Sequence, residues 1–173
     1  MIHEPLDLGV HFLKVAYSED ARGAFGRLWC AEDFARFGIS FTPLQVSLSR
    51  SLRQGTLRGL HWQAAPYEES KFVHVLRGHI FDVVAQIDGD ARRFVARELA
   101  AGEGLFIPAG LAHGFLTLSD DVELLYMMDV PFEASAARGA RFDDAALGVN
   151  WPFQPEIISE RDLSWPALRA SLA

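Results

Sequence analysis

With one cysteine in 173 residues, the chain has no pair for an intrachain disulfide and too few thiolates for a cysteine-rich zinc site. Basic residues are also few, 16 Lys and Arg against 23 Asp and Glu, for a formal charge of −7. They nowhere form a block, so a nucleic-acid partner, which needs a basic patch, is not expected. No apolar run is long enough for a membrane span. The longest stretch without formal charge, residues 104–119, is interrupted by three glycines, Pro108 and His113. The opening MIHEPLDLGV lacks a basic start followed by an apolar core, so no secretory leader is expected and the expected location is cytoplasmic. Also missing are a Gly-x-Ser-x-Gly elbow, a phosphate loop and a Gly-x-Gly-x-x-Gly fingerprint.

What is present is ordinary globular material. Half of the residues are hydrophobic and 23% are charged, and the length suits one domain over residues 1–173. Local patterns are mostly those of strands. KFVHVL and HIFDVVAQID flank the turn-like Arg77-Gly78; in the second run Phe81, Val83, Ala85 and Ile87 alternate with Asp82 and Gln86, as a half-buried strand requires. Residues 92–99 alternate similarly, and Gly102-Glu103-Gly104 supplies a turn before LFIP. Residues 116–118 and 122–128 form a further pair around Ser119-Asp120-Asp121, and residues 41–51 and 56–62 are strand-like too. Helix is expected only over residues 30–37 and in the tail after Ser164, with Pro166 in its first turn. Residues 133–148 read as an irregular excursion. Many short strands with frequent turns predict an all-β sandwich or barrel with short peripheral helices.

Such a barrel suggests a small-molecule pocket inside it. Of six histidines, His61 and His113 stand out. His61 closes LRGLHWQ, where strand alternation predicts that Arg58 and Leu60 face opposite ways to Gly59 and His61; His113 follows the turn-forming IPAG. A mononuclear metal in a small barrel commonly uses two histidines two apart, but Gln63 stands two after His61, and His74 and His79 do not clearly converge. No metal site is expected, and His61 is better suited to proton transfer.

The strings GTLRGLHWQ, LRGHIFDVVAQID and FIPAGLAHGFLTLSDDVELLYM, with Lys71 ten residues after His61, resemble the dTDP-4-dehydrorhamnose 3,5-epimerase family. Arg22-Gly23-x-Phe25, RGARFDDAALGVNWPF and Ile158-Ser159-Glu160-Arg161-Asp162 extend the likeness across nearly the whole chain. The resemblance implies a jelly-roll cupin fold, no cofactor, a nucleotide-sugar substrate and a homodimer that exchanges N-terminal strands. It also implies roles. His61 matches the catalytic base, Asp162 the acid that orients it, Tyr126 the proton donor on the opposite face, and Lys71 the cation at the substrate's carbonyl oxygen. Arg22 and Arg58 match diphosphate-binding arginines, His113 a residue lining the sugar pocket, and Phe132 an aromatic that stacks on the base. Gln45, Asp82 and Arg161 complete the implied substrate-binding set.

The implied chemistry is intelligible. In a 4-keto-6-deoxy sugar the hydrogens on C3 and C5 flank a carbonyl, so a general base generates an enolate that a nearby cation can stabilise. Inversion needs a second acid on the other face. Departures from the family pattern fall at the nucleotide end: Arg27 replaces an acid, Ser47 an asparagine and Ala137 a glutamate. The nucleoside, and whether C5 or only C3 is inverted, therefore stay open. So do two other readings, a metal-dependent cupin such as an oxygenase and a non-catalytic sugar-binding cupin.

Overall fold

The computed structural model describes residues 1–88 and 93–168. In chain order the strands are β1 (Ile2–Pro5), β2 (His11–Lys14), β3 (Tyr17–Asp20), β4 (Gly23–Gly26), β5 (Gln45–Ser51), β6 (Leu57–Gln63) and β7 (Lys71–Arg77). They continue as β8 (His79–Ala85), β9 (Phe94–Ala100), β10 (Glu103–Ile107), β11 (Ala112–Thr117), β12 (Val122–Met128) and β13 (Ala137–Gly139). Two short helices, α1 (Ala31–Arg36) and α2 (Glu160–Leu163), lie outside the sheets. A six-stranded sheet, β1-β2-β10-β7-β12-β5, packs on a five-stranded one, β13-β6-β11-β8-β9, while β3 and β4 form a separate hairpin. This is an all-β jelly roll.

The two large sheets share an apolar filling in which Phe12, Val73, Val75, Leu105 and Leu124 of one meet Ile80, Val84, Leu99 and Phe115 of the other. Burial of this kind is the main stabilising term, and deleting a side chain such as Phe115 typically costs about 3–5 kcal/mol. On the outer side of the six-stranded sheet, Phe34 of α1 packs with Phe72 and Phe106. The outer side of the five-stranded sheet is covered by the segment from β13 onward, through Ala140, Leu147, Trp151 and Leu168.

That cover changes the reading of β8. The alternation is present, but both faces are buried: Ile80 and Val84 point between the sheets, and Val83 and Ala85 pack under the covering segment. Asp82, on the inner face, is fully buried rather than solvated. The region 133–148 contributes β13, which pairs with β6, within otherwise irregular chain. The helix expected after Ser164 lies earlier. Ser159 caps α2, its Oγ accepting from the Asp162 N–H at 3.1 Å, which is the N-terminal pattern that starts a helix. Residues 165–168 are irregular, in keeping with the extended preference of a residue before proline. The rest of that tail, and Arg92 of the 92–99 strand expectation, lie outside the described residues.

Candidate active site

At one end of the space between the sheets lies a cavity of about 590 Å³. Its five-stranded wall carries Arg58, His61, His113 and Arg138; its six-stranded wall carries Ser47, Lys71 and Tyr126; Phe132 approaches from a connecting segment and Arg161 and Asp162 from α2.

Arg58 and His61 share this cavity although simple alternation sets them on opposite faces. Opposite β11, His113 pairs with His61 and Phe115 with Arg58, so Gly59 and Leu60 together face Gly114 alone. This bulge shifts the strand's phase by one residue. It also needs glycine, because a Cβ on Gly59 would fall 2.5 Å from the Gly114 Cα, at a φ of +122°. Leu60 is directed outward into the covered core.

His61 Nε2 lies 2.6 Å from Asp162 Oδ1. The Asp162 backbone sits in the first turn of α2, and its Oδ2 accepts from the Gly59 N–H at 3.3 Å. Burial opposes ionisation of Asp162, but the hydrogen bonds from His61 and Gly59 outweigh it and hold the carboxyl below its ordinary range. With Nε2 engaged, Nδ1 is the His61 nitrogen left to exchange a proton.

Across the cavity, burial pushes the Tyr126 hydroxyl far up, the nearby Asp82 charge adds to the shift, and Arg58 offsets part of it. Tyr126 therefore keeps its proton throughout the neutral range. Its ring meets His113 edge-on at 5.9 Å. Lys71, at the start of β7, is buried, ion-paired with Glu69 at 2.8 Å and donating to the His61 carbonyl oxygen at 3.3 Å.

Not every candidate lines the cavity. Asp82 lies behind His113, its Oδ2 2.9 Å from Nε2, and orients the ring instead of reaching the cavity. Gln45 also stands back, where its Oε1 accepts the Phe132 N–H at 3.0 Å and its Nε2 donates to Ser47 Oγ at 3.3 Å. Arg22 sits on the exposed β3–β4 hairpin, paired with Asp20 and away from the cavity. Of the departures from the family pattern, Ser47 and Ala137 line the cavity, whereas Arg27 pairs with Asp33 at 3.5 Å outside it. Sequence reasoning missed Glu69, Gln63 and Arg138. Arg138 adjoins the recognisable Gly139, but nothing in the sequence sets Glu69 apart from Glu68. Among the described residues, no group of three or more His, Cys, Asp or Glu side chains is placed to hold a metal ion.

A family model described as dTDP-4-dehydrorhamnose 3,5-epimerase matches residues 7–170. The chain belongs to that family. The dTDP-4-dehydrorhamnose 3,5-epimerase of Sinorhizobium fredii is 36% identical over 155 residues, 86% of this chain and 80% of that protein. Among solved structures, the family member from Bacillus anthracis with TDP and PPi bound superposes with a TM-score of 0.90, at 27% identity, over 96% of this chain and all of that one. A 3′-monoepimerase from Streptomyces bikiniensis in complex with dTDP-quinovose gives a TM-score of 0.86 at 29% identity, over 95% and 86% of the two chains. The dTDP-4-dehydrorhamnose 3,5-epimerase family is one of isomerases, and its jelly roll is the fold described above. No described helix is long and apolar enough to cross a membrane.

Proposed function

We propose that this epimerase-family chain inverts C3 and C5 of a nucleotide-linked 4-keto-6-deoxy sugar. The observation that carries the reading is the opposition of His61, backed by Asp162, on one wall and Tyr126 on the facing wall of a single cavity. His61 Nδ1 takes the proton from the carbon beside the ketone, and Asp162 stabilises the imidazolium that results. The electrons move onto the C4 oxygen, where the Lys71 ammonium meets the developing charge. Tyr126, kept protonated by its surroundings, returns a proton from the other side. Arg58, Arg138 and Arg161 give the cavity the positive character that a diphosphate needs.

Incubating the protein with dTDP-4-keto-6-deoxyglucose in deuterated water and following C3 and C5 by NMR tests this directly. Wash-in at both carbons is expected; C3 alone reduces it to a monoepimerase, and none, with binding confirmed, leaves a sugar-binding module. Thymidine diphosphate is the carrier in the relatives' names, and Ser47 and Ala137 are the cavity positions that depart from the family pattern. Titration with dTDP, UDP, GDP and CDP measures the preference; clearly tightest binding to dTDP removes the case for altered specificity.

We further propose a homodimer. Val46 and Leu48 stand exposed on one face of the edge strand β5, flanked by exposed Leu44 and Leu52, and the hairpin bearing Arg22 and the exposed Phe25 contributes no residue to the lining of the cavity described above. A second copy covers such an apolar face, and its hairpin reaches the neighbouring cavity. Light scattering after size exclusion is expected to give twice the chain mass.

A further inference from the structure

Glu69 lies in the segment leading into β7, two residues ahead of Lys71, and is buried. Its Oε1 is 2.8 Å from the Lys71 ammonium, while Oε2 has no hydrogen-bond partner among the described residues. A carboxylate withdrawn from water and paired through a single oxygen is costly, and the ammonium beside it is what offsets that cost. Among the described residues the other cavity cations are held differently. Arg58 donates to Ser51 Oγ and the Arg50 carbonyl, Arg138 to the Ser135 and Ala137 carbonyls, and Arg161 lies over the Trp165 ring.

The ammonium of Lys71 has three N–H groups. One donates to the His61 carbonyl oxygen, and the Glu69 carboxylate holds the ammonium from a second side as an ion pair. Anchored on these two sides, the ammonium keeps a donor for the cavity that Lys71 lines. Without such an anchor, a lysine brings four rotatable bonds whose freedom is lost on reaching its target.

We propose that Glu69 is a positioning residue for the epimerisation: by pairing with the Lys71 ammonium it fixes where that ammonium sits and aims an N–H at the ketone oxygen before substrate arrives. The inference rests on the epimerase reading above. Glu69 needs no contact with the sugar for this role, and none is invoked. A second effect opposes it, because a carboxylate so close to the ammonium dampens its field at the ketone oxygen. The two have opposite consequences. Glu69→Gln keeps an acceptor in place but removes the charge-assisted grip. Positioning therefore makes the variant slower, whereas damping makes it faster.

The test compares the wild type with Glu69→Gln, Lys71→Gln and the double variant, reading kcat, KM and deuterium wash-in at C3 with dTDP-4-keto-6-deoxyglucose. Glu69→Gln is isosteric and the double variant removes both buried charges together, so both retain the fold; Lys71→Gln, shorter and leaving Glu69 unpaired, is read alongside the double variant, which carries no unpaired charge. Glu69→Gln is expected to lower kcat about tenfold with KM within about twofold, and Lys71→Gln to lower it about 100-fold or more. The double variant is expected to match Lys71→Gln, since Glu69 acts only through that ammonium. A kcat at or above the wild-type value in Glu69→Gln, or a double variant whose loss is the product of the two single losses, overturns the proposal while leaving the epimerase reading intact. A wild type that binds the sugar without any wash-in overturns the reading itself, and the positioning role with it.

Discussion

Two histidine–carboxylate pairs lie side by side on β6 and β11, directly opposite one another in the strand register. They use the same side chains at nearly the same separation, 2.6 Å for His61–Asp162 and 2.9 Å for His113–Asp82. They differ in access. The His61 side chain keeps 43% of its surface exposed, whereas His113 and Asp82 keep 4% and none. A proton acceptor must have a nitrogen that a substrate can reach, and only the first pair offers one freely. The second pair, its carboxylate sealed between the sheets, fixes a ring that forms part of the wall against Tyr126. On the proposed reading, one chemical motif serves two purposes, and water access decides which.

Four substitutions break or sharpen that contrast. His61→Ala is expected to have the largest effect, cutting C3 exchange by about 10³-fold or more with the melting temperature nearly unchanged. Persistent exchange in that variant ends the distinction. Asp162→Asn removes the charge behind the base and should cost about 10²-fold in kcat, again with a retained fold. Asp82→Ala moves the burden to stability: it strips a buried partner from His113, which should cost about 3 kcal/mol, or a fall in melting temperature of roughly 6–12 °C, with a loss of about tenfold in kcat from the loosened wall. An unshifted melting temperature with activity abolished means that the buried pair is the chemical one.

The smallest effect concerns a third histidine with no hydrogen-bond partner among the described residues. Both His74 ring nitrogens are buried without hydrogen bonds, and burial pushes the side chain down to about 4 from 6.5. Between those values the unfolded chain binds the proton that the folded chain refuses. Stability is therefore complete above about pH 6.5 and declines as the pH falls towards 4, by up to about 3 kcal/mol. His11, lowered first by its own burial and then by His3, contributes in the same direction. His74→Leu should flatten the dependence of melting temperature on pH across that window, leaving the smaller His11 share.

The histidine contrast also shows what the sequence could and could not convey. Strand-like patterns located the strands that hold Lys71 and Tyr126 and only the end, residues 116–118, of the one that holds His113, and the family resemblance paired His61 with Asp162, 101 positions further on. Alternation failed where the backbone departs from regular pleating. The bulge at Gly59 and Leu60 brings Arg58 round to the His61 side, and a two-for-one pairing leaves no mark on a hydrophobicity pattern. It failed again at β8, because a strand alternating with an acid looks solvent-facing until distant residues 137–168 are known to cover one side and the opposite sheet the other. Asp82 and Glu69 were hard to read for a related reason: their value comes from burial beside one particular cation or imidazole, and burial is a property of the assembled sheets. Arg22 is the opposite case, a residue prominent in its motif that the single chain leaves standing in solvent.

The helix that carries Asp162 gives the molecule an order of assembly. The imidazole is laid down with the early strands, yet its acidic companion emerges from the ribosome some hundred residues later, on a four-residue coil pinned by Ser159. Until that piece docks, the barrel can be complete in outline and still inert. A protease that nicks the chain just ahead of Ser159 would have the same outcome in reverse, silencing the catalyst while sparing the sheets.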